Sequence, residues 1–113
     1  METKSLKDKI NNMSFLQSIF KATEKPDYKK MVTDGAVVVD VRSAGEFASG
    51  HIPGSVNIPL EELRFRADEL ESKKVITCCR SGNRSGMALH ILNESGIEAI
   101  NGGAWDTLLQ KLK

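Results

Sequence analysis

Cysteine, proline and aromatic residues are scarce in this chain, and no long apolar run occurs. The 113 residues include two cysteines, three prolines, four phenylalanines and one each of tryptophan and tyrosine. The cysteines are adjacent, Cys78 and Cys79, so no disulfide framework can form within the chain. Two reduced thiols fit a reducing compartment. The longest apolar run falls far short of the roughly 20 residues that cross a bilayer. Net charge is only +1 and no basic stripe dominates, which gives no electrostatic footprint for nucleic acid. Two histidines and two neighbouring cysteines lack the spacing of a zinc site, so no metal ligands are expected. The lysine-rich stretch 1–30 has neither the apolar core nor the small-residue cleavage site of a secretory signal, so the expected compartment is the cytoplasm. An apolar fraction of 40% against 27% charged residues excludes a disordered chain and leaves one modest core.

What is present is concentrated in Cys79-Arg80-Ser81-Gly82-Asn83-Arg84-Ser85. The β-branched run Val75-Ile76-Thr77 precedes it, and the helix-like stretch Met87 to Leu92 follows. A cysteine at a strand tip, then a short polar loop, then a helix start brings backbone N–H groups and the positive end of a helix dipole onto the sulfur. Arg80 and Arg84 add positive charge, which lowers a thiol pKa. The same donors would hold a small oxyanion close to the sulfur. These residues read as a nucleophilic cysteine acting on anionic substrates.

Leu6, Ile10, Met13, Leu16 and Phe20 recur at helical spacing, which predicts an amphipathic extension over Ser5 to Phe20 within residues 1–21. The domain proper is expected over 22–113. Pro26 suits the first turn of a helix from Asp27 to Thr33, closed at Asp34-Gly35. Ala36 to Val41 reads as a buried strand, and Ser43 with Glu46 as a capping box for a helix through Ala48. A short strand at Val56 to Ile58 stops at Pro59, and a surface helix follows from Leu60 to Leu70. Val75 to Cys78 reads as a second strand, and Ser85 to Asn93 as a helix ended by Ser95-Gly96. Ile97 to Ile100 should be an edge strand, and Ala104 to Leu112 a last helix with Trp105 and Leu108 inward. This alternation predicts an open α/β sheet, mainly parallel, with helices on both faces. Ligands of such sheets sit beyond the carboxyl ends of the strands, where Asp40-Val41-Arg42 and Cys79-Arg80 both fall.

Three ordered motifs resemble the single-domain rhodaneses, a sulfurtransferase family. Asp40-Val41-Arg42, Glu46-Phe47 and Gly50 to Pro59 resemble the family's N-terminal signature. The stretch Cys79 to Ser85 resembles its active-site loop, and Gly102-Gly103 followed by Trp105 its C-terminal end. The resemblance runs from about Pro26 to Leu112 and implies a rhodanese-like fold without a cofactor. It further implies that Cys79 takes sulfane sulfur from a donor such as thiosulfate, becomes a persulfide, and passes the sulfur to cyanide, a low-molecular-weight thiol or a protein thiol. Sulfite would leave held by Arg80 or Arg84. Asp40, Arg42, Glu46 and His51 would support the loop from behind rather than react. Glu46 is a candidate partner for Arg42 or simply a first-turn helix acid, and His51 a loop tie between two glycines.

Other readings stay beside this one. The chain could instead be a sulfur-relay module serving a protein partner, with little turnover on small donors. A related phosphatase and arsenate reductase architecture carries a loop one residue longer between cysteine and arginine. Counted from Cys78, Arg84 falls at that arginine, but Gly82 then loses its usual place and Cys78 would lie inside the strand. Cys78 reads more simply as a buried small apolar residue. His90 falls on an exposed helix edge, and Trp105 is expected to pack. A small lone domain has nothing to roof its site, so a shallow pocket is expected.

Overall fold

The computed structural model describes residues 26–113; the expected Ser5–Phe20 helix and the boundary at residue 21 lie outside them. The elements are α1 (Tyr28–Thr33), β1 (Val37–Asp40), α2 (Ala44–Ser49), β2 (Val56–Asn57), α3 (Leu60–Arg66), β3 (Val75–Cys79), α4 (Asn83–Glu94), β4 (Ala99–Ala104) and α5 (Trp105–Lys111). The strands form one sheet in the order β2-β1-β3-β4, and every pairing is parallel. An all-parallel sheet must be covered on both faces, and the apolar runs of β1 and β3 supply both layers. On one face Val39, Val41, Val75 and Cys79 pack with Leu63 of α3 and Ala88 and Leu92 of α4. On the other, Val38, Ile76 and Cys78 pack with Tyr28 of α1 and Leu108 of α5. The expected open sheet with helices on both faces is therefore observed.

Element ends depart from expectation for local reasons. Asp27 caps α1 rather than joining it, its carboxylate accepting from the Lys30 N–H at 3.0 Å. The Leu60–Leu70 helix tightens after Arg66 into a 3-10 turn, Ala67–Leu70. Ala67 and Leu70 eclipse in such a turn, so both reach the core that Leu63 also enters. Helix α4 starts two residues earlier than expected, because Gly82 takes the left-handed conformation (φ 100°) that turns the chain into it. Ile97 does not enter β4, since its N–H closes α4 on the Leu92 carbonyl at 2.9 Å. At its other end β4 runs on to Ala104 through a bulge: Thr77 pairs with Asn101 but Cys79 with Ala104. Among the described residues, no helix is long and apolar enough to cross a membrane.

Candidate active site

Strand β3 is buried along its whole length and delivers both cysteines, but to opposite faces, as strand neighbours must be. Cys78 enters the layer of Tyr28, Ile76 and Leu108. Burial, then the nearby Asp40 carboxylate, push its thiol up to about 12 against a smaller pull from Arg42. Such a thiol carries almost no nucleophilic thiolate near neutrality.

Cys79 ends the strand beneath its loop, and the loop donates to it. The Gly82 N–H lies 2.9 Å from Sγ, the Ser85 N–H 3.3 Å and the Ser85 hydroxyl 3.3 Å. The Ser81 N–H also contributes. Burial pushes the Cys79 thiol up, and these four contacts outweigh burial, leaving the thiol below its ordinary value. The loop stays in place because Gly82 carries the left-handed turn and the Thr77 hydroxyl holds the Ser85 carbonyl at 2.9 Å. The result is a nest of donors aimed at one sulfur atom. Ser81 and Asn83 themselves face outward.

The two arginines of the loop part company. Arg84 grips Glu46 with two bonds, Nη1 to Oε1 at 2.7 Å and Nη2 to Oε2 at 3.0 Å. Glu46 is thus the partner of Arg84 and not of Arg42, a correction the capping box explains. Glu46 sits in the first turn of α2, fixed by the Ser43 N–H at 3.0 Å, with its carboxylate facing the start of α4. Arg80 is exposed and, among the described residues, in no ion pair. It lines an open cleft of about 370 Å³ with Arg42, Glu46, Ser49, Trp105 and Asp106. A larger depression, about 510 Å³, opens by Gly35 and Lys74, before the first residues of β1 and β3, and neither cysteine lines it.

Hydrogen bonding to Arg84, then to the Ser43 N–H, holds the Glu46 carboxyl at about 2 rather than 4.5. A depressed carboxyl contributes stability in full above its unfolded value and loses it as pH falls through the folded one. The bridge should therefore be complete above about pH 4.5 and open towards pH 2. Carboxyl-carbon NMR titration is expected to find Glu46 at about 2, and to find it moved back towards 4.5 in Arg84→Ala. A midpoint near 4.5 in the intact protein would mean that the pair does not persist in solution.

At the end of β1, Asp40 and Arg42 form a buried pair. Asp40 Oδ1 accepts from Arg42 Nε at 2.9 Å and from its backbone N–H at 3.0 Å, and Oδ2 accepts from Nη2 at 2.7 Å. Arg42 Nη2 also donates to the Gly50 carbonyl at 2.7 Å, and its guanidinium lies 4.7 Å over the Trp105 ring. The pair thus straps β1 to the end of α2 and to α5. His51 bonds the Phe47 carbonyl through Nδ1 at 2.7 Å and stacks on the Phe47 ring, tying down its own helix end and not the cysteine loop. His90 is exposed as expected. Trp105 is half-buried, with one side on Arg42 and Gly50 and another in the cleft.

Motif reading gave no role to two asparagines, although Asn57 lies within the Gly50 to Pro59 signature. Asn57 donates to the Asp40 and Arg42 carbonyls, at 3.0 and 2.9 Å, from β2. Asn101 of β4 lies against Ser85, Gly82 and Gly103. Only its place before Gly102-Gly103 hinted at it. Among the described residues, no group of His, Cys, Asp or Glu could hold a metal ion.

Comparison with known proteins agrees with this geometry. A family model, the Rhodanese-like domain, matches residues 24–104. Thiosulfate sulfurtransferase PspE of Escherichia coli (strain K12) is 34% identical over 82 residues, covering 66% of this chain and 77% of PspE. YrkF of Bacillus subtilis (strain 168), proposed as a sulfur carrier protein, is 41% identical over 64 residues, covering 56% of this chain and 35% of YrkF. The human single-domain sulfurtransferase TSTD1 superposes with a TM-score of 0.64 at 32% identity, covering 76% of this chain and 92% of TSTD1. The matched region spans about a third to a half of the length of several curated relatives, from 35% to 52%. A match running from residue 24 to 104 takes in both strand ends, the cysteine loop and the β4 bulge, far more than one short motif could by chance: the chain belongs to the rhodanese-like domain family.

Proposed function

We propose that this protein is a sulfurtransferase whose Cys79 carries sulfane sulfur from thiosulfate or a persulfide donor to a thiophilic acceptor. The observation that carries the reading is the set of donors from Ser81, Gly82 and Ser85 converging on Cys79 Sγ. The Cys79 thiolate attacks the outer sulfur of thiosulfate. A new S–S bond forms, the bond to the sulfite sulfur breaks, and its electron pair leaves with sulfite. The resulting persulfide anion is stabilised by the same N–H groups, which act as preorganised dipoles. Cyanide or a thiolate then attacks the outer sulfur, and the breaking S–S pair returns to Cys79. Arg80, exposed at the cleft, is free to receive the departing sulfite, whereas Arg84 is held by Glu46. Two free thiols favour action in a reducing compartment such as the cytoplasm.

A second reading, a relay that hands sulfur to a protein-borne thiol, draws support from the openness of the cleft and its mixed charge. A phosphatase-type reaction through Cys78 lacks a comparable basis, since that thiol is buried on the opposite face and held at about 12.

The test is thiosulfate-to-cyanide transfer by wild type, Cys78→Ser and Cys79→Ser, with intact mass on each after thiosulfate. Loss of activity and of a one-sulfur mass gain in Cys79→Ser alone is expected. Sulfur on Cys79 without turnover would favour the relay. No sulfur on Cys79 would sink both.

A further inference from the structure

The side chain of Asn101 has one possible orientation. The Gly103 N–H can only donate and lies 2.8 Å from Oδ1; the Gly82 carbonyl can only accept and lies 3.1 Å from Nδ2. Oδ1 therefore also faces the Ser85 hydroxyl, at 2.7 Å, and as an acceptor it must receive the Ser85 proton. With that proton turned away, the contact of 3.3 Å between Ser85 Oγ and Cys79 Sγ is left to the thiol proton. With the thiol protonated, the chain is then Cys79 S–H to Ser85 O–H to Asn101 Oδ1, every group satisfied. Once the thiol proton leaves to solvent, the Ser85 proton has two acceptors, the thiolate and Asn101 Oδ1. It can serve only one.

We propose that Asn101 is a positioning residue that sets the reactivity of Cys79 by competing with its sulfur for the Ser85 hydroxyl proton. This deepens, and rests on, the reading of Cys79 as the sulfur-carrying nucleophile. Asn101 loses little when Ser85 turns, because the Gly103 N–H stays on Oδ1. Nor does the loop depend on Asn101 alone: the Gly82 carbonyl keeps the Gly86 N–H at 3.0 Å, and the Ser85 carbonyl keeps the Thr77 hydroxyl. The charged and titratable groups around the sulfur lie elsewhere: Arg84 on α4, held by Glu46 of α2; Arg80 in the loop; Cys78 on β3; and the Asp40–Arg42 pair at the end of β1. The Tyr28 hydroxyl of α1 meets the Asn101 backbone carbonyl at 3.3 Å, not its side chain. None of these changes when residue 101 does.

The test is the pH dependence of iodoacetamide alkylation at Cys79, read by peptide mass on the full chain. Asn101→Asp keeps the shape, makes the competing acceptor a carboxylate and gives up the Nδ2–H bond to the Gly82 carbonyl. Its midpoint should rise by about one pH unit, roughly a tenfold loss of thiolate below the midpoint. In a Ser85→Ala background that rise should shrink to the part carried by the new charge through space, because the remainder passes through the hydroxyl. Asn101→Ala removes the competitor and should lower the midpoint, again only where Ser85 is present; it also serves should Asn101→Asp fail to fold. An Asn101→Asp shift that persists undiminished in Ser85→Ala would be through-space charge and would overturn the proposal, as would unchanged midpoints in both variants. Alkylation needs only a thiolate, so a normal titration with no sulfur transfer would count against the proposed function and leave this proposal standing. No titrating thiolate at Cys79 would overturn both.

Discussion

Asp40→Ala should lose about 3–5 kcal/mol of folding stability, the cost of breaking a buried ion pair on one side. Asp40 is fully buried and the Arg42 side chain is 5% exposed, so the abandoned guanidinium cannot turn to water without pulling out of the strap. What remains to it is the Gly50 carbonyl and the Trp105 face. Neither neutralises a charge. With typical domain stabilities of about 5–15 kcal/mol, the variant would sit near its unfolding threshold. Asp40→Asn should be milder, since it keeps an acceptor and the shape but not the charge. Replacing both partners, Asp40→Ala with Arg42→Met, should recover much of the loss, because the uncompensated charge goes too. Urea denaturation of the four proteins checks this. A double variant no more stable than Asp40→Ala would show that the strap matters for its hydrogen bonds rather than its charge.

Gly102→Ala should destabilise far more than Gly103→Ala, although the two residues are neighbours. A Cβ on Gly102 would stand 2.8 Å from Ile76 Cγ2, 2.8 Å from the Thr77 carbonyl oxygen and 2.9 Å from Leu108 Cδ2. The side chains could shift; the Thr77 oxygen belongs to the β3 backbone and could move only with the sheet. Overpacking of this kind costs about 1–3 kcal/mol, and the backbone contact puts this site at or above the upper end. Gly103 has open space around it and needs glycine only for its left-handed φ of 83°. Alanine there should cost about 1 kcal/mol, the usual penalty of that conformation. The damage at Gly102 should also reach the site, because pushing β4 off β3 carries Asn101 away from Ser85. Equal denaturation midpoints for the two variants would contradict the close approach of Gly102 to β3.

Much of this arrangement was legible because it is local. The Ser43–Glu46 capping box, the β-branched runs at Val37–Val39 and Val75–Thr77, and the Gly82 turn each follow from a few neighbouring residues. The preference for Cys79 over Cys78 came from the place of Gly82 and from Cys78 lying inside the strand, and the donors on Cys79 Sγ give it a physical basis. Burial could not have made that choice, since the two residues are 0% and 1% exposed. The unreadable parts are pairings between distant segments. Glu46 meets Arg84 across 38 residues of chain, and Asn101 meets Ser85 across 16. Asparagine carries no motif of its own, and a glutamate near two arginines fits either of them on paper. Strand ends failed for a related reason: whether Ile97 joins the ladder depends on the Leu92 carbonyl taking its N–H.

The pleat of β3 has a chemical consequence for the paired cysteines. Side chains of successive residues leave the sheet on opposite sides, so two thiols joined by a single peptide bond are separated by the sheet itself. One faces a sealed apolar layer; the other faces the donor nest. Joining them would mean tearing β3 out of its pairing with both β1 and β4. The sheet therefore acts as insulation. Towards oxidants, alkylating agents and sulfur donors, this two-cysteine chain should behave as a protein with one addressable thiol.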